Sequence, residues 1–203
     1  MKHTQFIFFL MIFLLSCSNK LDKSSLEEYC LNKDNGVIKS VSAHGVVLTS
    51  WLKPNDLIVC QYLHHKEEVS TQMIDSCRKK YEDFYYFNLS ISQDKNTILS
   101  ASKSYAEYSE FVKKFSFQMS EYIYFTDADG KKFELYDYSY LNTFGMSTTS
   151  DFLLVLDKRK LQGSNIIKIN ISEFGLGIGT QVLKFNVEDI IRVPKLDFKN
   201  FKH

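Results

Sequence analysis

Alternating apolar and polar residues along much of the chain predict a succession of short β-strands. In the stretch 86–92, Tyr-Phe-Asn-Leu-Ser-Ile-Ser, the Phe, Leu and Ile side chains fall at every second position, as in a strand that buries one face. After a polar turn, 97–100 is predicted to return beside it. Other strands are predicted where β-branched and aromatic residues cluster, at 37–41, 45–52, 56–63, 122–126, 132–136, 152–156, 166–171 and 182–187.

Helical periodicity replaces this alternation in a few segments. Apolar side chains recur every fourth residue in 67–86, and 104–115 also keeps helical spacing, so both stretches are predicted to be helices. A shorter helix is predicted to begin at Ser25, because Glu28 follows three residues later as in a capping box. It is expected to end near Gly36.

The fold class predicted from these patterns is mainly β with one or two helices. Short strands at roughly ten-residue spacing favour a sandwich or a barrel. From Tyr122 to Val187 the order is a strand, an acidic turn ending in Gly130, a strand carrying Tyr136, a loop and three further strands. This order resembles the second half of an immunoglobulin-like β-sandwich found in other exported bacterial lipoproteins. The resemblance implies that fold and no activity; an α+β fold is the alternative.

The amino terminus has the pattern of a cleaved export signal. Lys2 precedes an unbroken apolar run over 6–15. As a helix this run extends about 15 Å, whereas the hydrocarbon core of a bilayer is about 30 Å thick. The pattern therefore predicts a signal peptide over 1–16 and not a membrane-spanning helix.

The run ends at Leu14-Leu15-Ser16-Cys17, which resembles the bacterial lipobox. The resemblance implies cleavage before Cys17, a diacylglycerol group on its thiol and a further acyl chain, such as palmitate, on the new amino terminus. Two or more acyl chains hold a protein stably on a membrane. The expected location is a bacterial membrane. Since position 18 is Ser and not Asp, the analogy with proteobacterial sorting allows the outer membrane, with the protein facing the periplasm or the cell surface.

The remaining sequence predicts a short polar tether followed by one domain. Residues 17–25 are polar without an aromatic side chain, which is typical of a flexible linker between lipid and protein. A single mostly-β globular domain is expected over 26–203. The 17 Phe and 12 Tyr residues of the chain supply ample material for a packed core.

The net charge narrows the classes of partner, whereas the cysteines leave the disulfide state open. The formal charge of +1 becomes zero when Lys2 is removed with the signal. No basic block of five or more residues is present, so a nucleic-acid partner is not expected. Export allows disulfides to persist. Cys30, Cys60 and Cys77 allow three different pairings, and the spacing does not choose between a disulfide and three buried thiols.

Two motifs that resemble ligand-binding loops are interpreted as turns. Asp127-Ala-Asp129-Gly130 lacks the further carboxylates of a calcium loop, and we interpret it as a hairpin turn. The spacing in 175–179, Gly-Leu-Gly-Ile-Gly, does not fit a dinucleotide-binding fingerprint, which also requires a helix to follow. This segment is predicted to be a loop or bulge that joins two strands.

Local signatures of catalysis and of metal binding are missing from the sequence. His64 and His65 are adjacent, so on a strand they point in different directions and rarely bind the same metal ion. The G-x-S-x-G motif of hydrolases does not occur, and Cys77 has no histidine that the sequence assigns to it as a base. No catalytic residue, metal site or cofactor is predicted.

Tyr136, Tyr138 and Tyr140 form the candidate binding surface. At strand spacing the three rings lie on one face, where they bind a partner if exposed or pack the core if buried. We therefore expect a lipid-anchored envelope lipoprotein with a non-catalytic binding or structural role, whose partner is an envelope protein or glycan. The alternative is an envelope glycan-acting enzyme with dispersed carboxylates, which requires two carboxyl groups roughly 5–10 Å apart in a cleft.

Overall fold

The computed structural model describes residues 20–66, 68–141, 146–161 and 163–198. The predicted signal peptide and Cys17 lie outside these ranges. Within them the helices are α1 (Lys23–Leu31), α2 (Asn55–Leu63), α3 (Thr71–Tyr81), α4 (Tyr105–Phe117), α5 (Met119–Tyr122) and α6 (Val187–Ile191). The strands are β1 (Lys20–Leu21), β2 (Ile38–Ala43), β3 (Val46–Lys53), β4 (Phe84–Gln93), β5 (Ile123–Thr126), β6 (Lys132–Glu134), β7 (Asp137–Leu141), β8 (Ser150–Asp157), β9 (Ile166–Ile171), β10 (Gln181–Asn186) and β11 (Lys195–Leu196). Across these ranges, no helix combines the length and the apolar character that crossing a bilayer requires.

Two antiparallel sheets form the framework of the fold. The larger has the strand order β2-β3-β4-β8-β7 and the smaller has the order β10-β9-β5-β6. A separate parallel ladder joins β1 to β11. The fold is thus a mixture of helices and antiparallel sheets, and its described part contains more helices than the one or two that the sequence pattern predicts.

The core contains residues from both sheets. Phe87 on β4 is fully buried, and its ring centroid lies 5.8 Å from that of Phe125 on β5 and 5.0 Å from that of Phe185 on β10. Phe115 of α4 is also buried and meets Phe152 of β8 edge-on at 5.1 Å. Aromatic rings therefore join the two sheets and attach α4 to the larger one.

The strongest periodic signals are confirmed. β4 extends from Phe84 to Gln93 and buries the predicted alternate positions. The helix predicted over 104–115 is α4, whose cap residue Ser104 accepts a hydrogen bond from the Glu107 backbone N–H. The helix predicted over 67–86 is α3, which is shorter at both ends because Ser70 caps its start and β4 begins at Phe84.

The strand predicted over 56–63 is wrong, because this segment forms α2. Its buried positions, Asp56, Leu57, Val59, Cys60 and Leu63, do not alternate. A short apolar run without alternation fits a buried helix as well as a buried strand. The helix also follows Pro54, whose fixed φ suits a helix start.

The strand predicted over 97–100 is wrong as well. A single isolated bridge joins Gln93 to Asn96, and residues 97–100 form no strand. β4 already pairs with β3 on one side and with β8 on the other. Both edges of β4 are therefore occupied, and residues 97–100 cannot pair with it. The sequence around the turn could not show this, because β3 and β8 are distant in the chain.

The tether predicted over 17–25 is too long. Lys20 and Leu21 pair with Lys195 and Leu196, and Asp22 accepts a hydrogen bond from the Ser25 backbone N–H at the start of α1. The helix predicted to begin at Ser25 thus begins at Lys23. Only 17–19 of the predicted tether lies outside the described residues.

Candidate functional site

The three candidate tyrosines do not form one ladder. Tyr138 and Tyr140 lie on β7 opposite the buried Leu154 and Phe152, so their rings point toward the core. Tyr136 precedes β7, is 58% exposed and packs against Phe84 with the ring centroids 4.5 Å apart. The predicted three-ring face is therefore wrong, since β7 begins one residue after Tyr136.

Tyr138 and Tyr140 instead line a groove between β7 and α4. We call it the tyrosine groove, and its volume is about 400 Å³. The residues that line it are Leu99, Tyr108, Val112, Ser116, Tyr138, Ser139 and Tyr140. Five of these side chains carry a hydroxyl group, and as far as the structure describes the chain none of them is charged. Ligand sites are commonly lined by aromatic side chains together with a few well-placed polar groups such as hydroxyls.

Packing of α4 against the core fixes the geometry of this groove. Phe111 and Phe115 are the buried residues of α4, which directs Tyr108 and Val112 toward β7. The ring of Phe115 lies 5.4 Å from that of Tyr140. The Met119 backbone N–H donates to the Tyr138 hydroxyl at 3.3 Å, so both tyrosines on β7 are held in place.

The hydroxyl groups of Tyr138 and Tyr140 stay protonated at neutral pH. Burial raises the pKa of Tyr138, although the hydrogen bond from the Met119 backbone opposes the shift. Burial also raises the pKa of Tyr140, with an opposing hydrogen bond to Ser150. A neutral hydroxyl both donates and accepts, so the groove offers paired donors and acceptors without a net charge.

A second cleft, of about 370 Å³, opens at one end of the larger sheet between Leu52, Asp56, Arg78 and Lys158. Arg78 Nε donates to Asp56 Oδ1 at 2.7 Å. Arg78 Nη2 and the Leu196 backbone N–H donate to Asp56 Oδ2 at 2.9 and 2.8 Å. The Asp56 carboxylate therefore connects α2 to α3 and β11. These contacts give it a structural role and not the role of a catalytic acid or base.

Lys158 is a residue of this cleft that the sequence patterns did not single out. Its ammonium group donates to the Glu82 carbonyl oxygen at 2.5 Å and lies 4.6 Å from the centroid of the Tyr85 ring. Burial lowers the pKa of Lys158, while the nearby Asp83 and Glu82 carboxylates oppose this shift. Nothing in the local sequence distinguishes Lys158 from its basic neighbours, since its partners come from the α3–β4 connection and from the start of β4.

The glycine-rich segment is a loop between β9 and β10, as predicted. The Glu173 carboxylate accepts hydrogen bonds from the backbone N–H groups of Gly175, Leu176, Gly177 and Gly179, at distances of 2.6–2.9 Å. Partial burial acts to raise the pKa of Glu173, but these four donors outweigh it and lower the pKa to about 2. The loop is thus an anion-binding concavity that the chain's own carboxylate fills.

Glu173→Gln is expected to destabilise the protein by about 1 kcal/mol at neutral pH, after allowance for solvent screening of an exposed carboxylate. The folded-state pKa of about 2 lies below the ordinary value of 4.5. The stabilisation is therefore present above pH 4.5 and is lost as the pH falls toward 2. Urea unfolding across this pH range measures it. Glu134→Gln, at an exposed position on β6, is the control, and equal acid sensitivity of the two variants contradicts the prediction.

The acidic motif forms the hairpin turn predicted from the sequence. It connects β5 to β6, which pair antiparallel. Asp127 Oδ1 accepts hydrogen bonds from the backbone N–H groups of Asp129 and Lys131, and Gly130 has a φ of +84°. The first carboxylate of the motif thus closes the turn.

The histidines and cysteines offer no assembled metal site. Over the described ranges, no three His, Cys, Asp or Glu side chains approach closely enough to hold a metal ion. Cys30, Cys60 and Cys77 are free thiols, of which the first two are buried. Burial, aided by the Glu27 charge, raises the pKa of Cys30 to about 12. A thiol with this pKa is a poor nucleophile.

The chain matches no protein-family model, no curated protein and no solved structure. The tyrosine groove presents hydroxyl groups and rings, whereas the second cleft carries the Asp56 carboxylate, which Arg78 binds, and the Glu82 carboxylate.

Proposed function

We propose that this protein is a lipid-anchored cell-envelope lipoprotein with a non-catalytic binding role, and that the tyrosine groove is its binding site. The lipobox-like tetrapeptide ending at Cys17 supports the anchor and a location on a bacterial membrane. The neutral lining of the groove, as far as the chain is described, supports binding rather than catalysis. Its described residues offer no carboxylate, thiol or imidazole to transfer a proton or attack a substrate.

We propose a glycan of the envelope as the partner. The observation that carries this proposal is the combination of tyrosine rings with hydroxyl groups and the absence of charge in the described lining of the groove. Hydroxyl groups that both donate and accept are suited to the hydroxyl groups of a sugar. The volume of about 400 Å³ lies within the range of small-ligand sites, about 300–1,000 Å³.

We also propose that the domain belongs to the immunoglobulin-like class of β-sandwiches. Its strand pairs alternate between the sheets: β5 and β6 lie in the smaller sheet, β7 and β8 in the larger, and β9 and β10 in the smaller again. Strand pairs that alternate between two packed sheets are characteristic of sandwich folds. The contacts of Phe87 with Phe125 and Phe185 support this assignment.

Tyr108→Ala is expected to weaken glycan binding about tenfold, equivalent to about 1.4 kcal/mol, because it removes a ring and a hydroxyl from the groove. The measurement is titration calorimetry of the detergent-solubilised protein with a tetrasaccharide of N-acetylglucosamine and with solubilised wall glycan. Tyr105→Ala is the matched control. It lies on the same helix, outside the groove lining, and is 84% exposed, against 43% for Tyr108.

Unchanged binding by a folded Tyr108→Ala variant contradicts the assignment of the groove. Failure of the wild-type protein to bind either glycan rejects the glycan partner. Release of new reducing ends from the wall glycan by the wild-type protein instead assigns the alternative function, an enzyme with dispersed carboxylates.

A further inference from the structure

The described chain is fixed to the domain from its first residues onward. Lys20 and Leu21 of β1 pair in parallel with Lys195 and Leu196 of β11. The Asp197 backbone N–H donates to the Leu21 carbonyl oxygen at 2.7 Å. Leu196 is buried, and Leu21 packs against the main core cluster. Lys20 therefore marks a fixed point at the surface of the fold.

This fixed point limits how far the domain can lie from an acylated Cys17. A chain extends at most about 3.3–3.6 Å per residue, so the three Cα-to-Cα steps from Cys17 to Lys20 span at most about 11 Å. The nine-residue tether predicted from the sequence would have allowed about 30 Å. The shorter connection leaves only the surface around Lys20 within reach of the membrane.

We propose that the β1–β11 end of the domain is its membrane-facing surface and that Lys20 and Lys195 contact the lipid headgroups. This inference depends on the lipid anchor at Cys17 proposed above. It goes further because it assigns which side of the domain faces the lipid and which residues touch it.

The charge on the β1–β11 ladder fits a lipid surface. Lys20 and Lys195 are direct register partners, and both are exposed. Neighbouring strands lie about 4.8 Å apart, and like charges placed directly opposite each other are unfavourable. Anionic headgroups attract lysine side chains close to the membrane, so headgroup phosphates would offset this repulsion. The carboxylate of Asp22, which follows β1, is engaged by Ser24 and Ser25.

Apolar groups accompany the two lysines at this end. A groove of about 380 Å³ is lined by Lys20 together with Val69, Ile74, Leu196 and Phe198. Its described lining also includes Thr71, Arg78 and the carboxylates of Asp75 and Asp197, and Asp75 lies 3.9 Å from Arg78. Lysines beside apolar side chains are typical of surfaces that meet the headgroup region, because the ammonium group reaches the phosphates while the stem covers apolar surface. The two exposed lysines with their apolar neighbours, and the short connection to Cys17, therefore point to the same occupant, a lipid surface.

The test compares the reactivity of lysines on one vesicle-bound protein. The full-length acylated protein is placed in vesicles of phosphatidylcholine with phosphatidylglycerol and treated with a water-soluble amine-reactive reagent, and each lysine is quantified by mass spectrometry. Lys20 and Lys195 are expected to react several-fold more slowly than they do in an unacylated protein that begins at Ser18 and is free in solution. Lys95 is the internal control and is expected to react equally in both, because it is exposed beyond the far end of β4, a strand about 33 Å long.

A second variant distinguishes closeness of the β1–β11 end to the membrane from attachment of the protein to the membrane. A flexible Gly/Ser insertion of roughly ten residues between Ser18 and Asn19 is expected to restore the reactivity of Lys20 and Lys195 while the protein stays on the vesicles. If the acylated wild type is bound but its Lys20 and Lys195 react as fast as in solution, the assignment of the membrane-facing surface is wrong, although the proposed lipid anchor is retained. If Cys17 carries no lipid, the proposed anchor itself fails.

Discussion

Phe87→Ala is expected to lower the free energy of unfolding by about 3–5 kcal/mol. Phe87 lies on the central strand of the larger sheet, is 0% exposed, and contacts Phe125 and Phe185 of the smaller sheet. Removing its ring leaves a cavity between the sheets that the neighbouring side chains can only partly fill. Urea unfolding of the unanchored Cys17→Ala protein with and without this substitution measures the effect.

Phe117→Ala is the control for this substitution. Its side chain is 78% exposed at the end of α4, so its removal is expected to change the stability by no more than about 0.5 kcal/mol. A cost for Phe87→Ala below about 1 kcal/mol, which is well under the usual range for a buried Phe, would mean that the two sheets do not share one core.

Cys17→Ala is expected to move the protein from the membrane fraction to the aqueous fraction completely. Without the thiol no diacylglycerol can be attached. Stable anchoring then lacks the acyl chains that supply its free energy. The measurement is immunoblotting of fractions from bacteria that carry the lipoprotein pathway, after an alkaline wash.

Cys77→Ala provides the matched cysteine control. Cys77 is half-buried on α3 and free of any disulfide, so its removal is expected to leave the protein on the membrane. Retention of Cys17→Ala in the washed membranes, together with normal processing of the wild type at another site, contradicts the lipid anchor.

Elements whose signal is local and periodic could be predicted from the sequence. The alternation in β4 and the helical spacing in α4 each describe a face that is buried along the whole element, so sequence and packing agree. The loop between β9 and β10 was also predicted. Glu173, placed two residues before the first glycine of that loop, is a local signal by which the anion-binding concavity could have been found.

Features that depend on distant partners could not be predicted. β1 is a strand only because Leu196, near the other end of the described chain, pairs with Leu21. The local sequence does not show this pairing, so the segment is predicted to be a tether. α2 contains an apolar run whose pattern fits either kind of element. Packing against the core, not residue type, decides between them.

The candidate site was predicted in part. Tyr138 and Tyr140 were identified by their spacing and do line the groove, but spacing could not show that β7 starts after Tyr136. Tyr108 was missed because it belongs to a helix whose position beside β7 depends on Phe111 and Phe115. A groove between a helix and an edge strand leaves no signature in either segment alone.

The mass of the mature amino-terminal peptide tests the proposed lipid anchor most directly. The full-length gene is expressed in a bacterium with the lipoprotein pathway, and the protein is extracted in detergent and digested. We expect the first peptide to begin at Cys17 and to carry a diacylglycerol group on its thiol. A first peptide that retains residues of the 1–16 segment, or that begins at an unmodified Cys17, would contradict the anchor and with it the proposed class of protein.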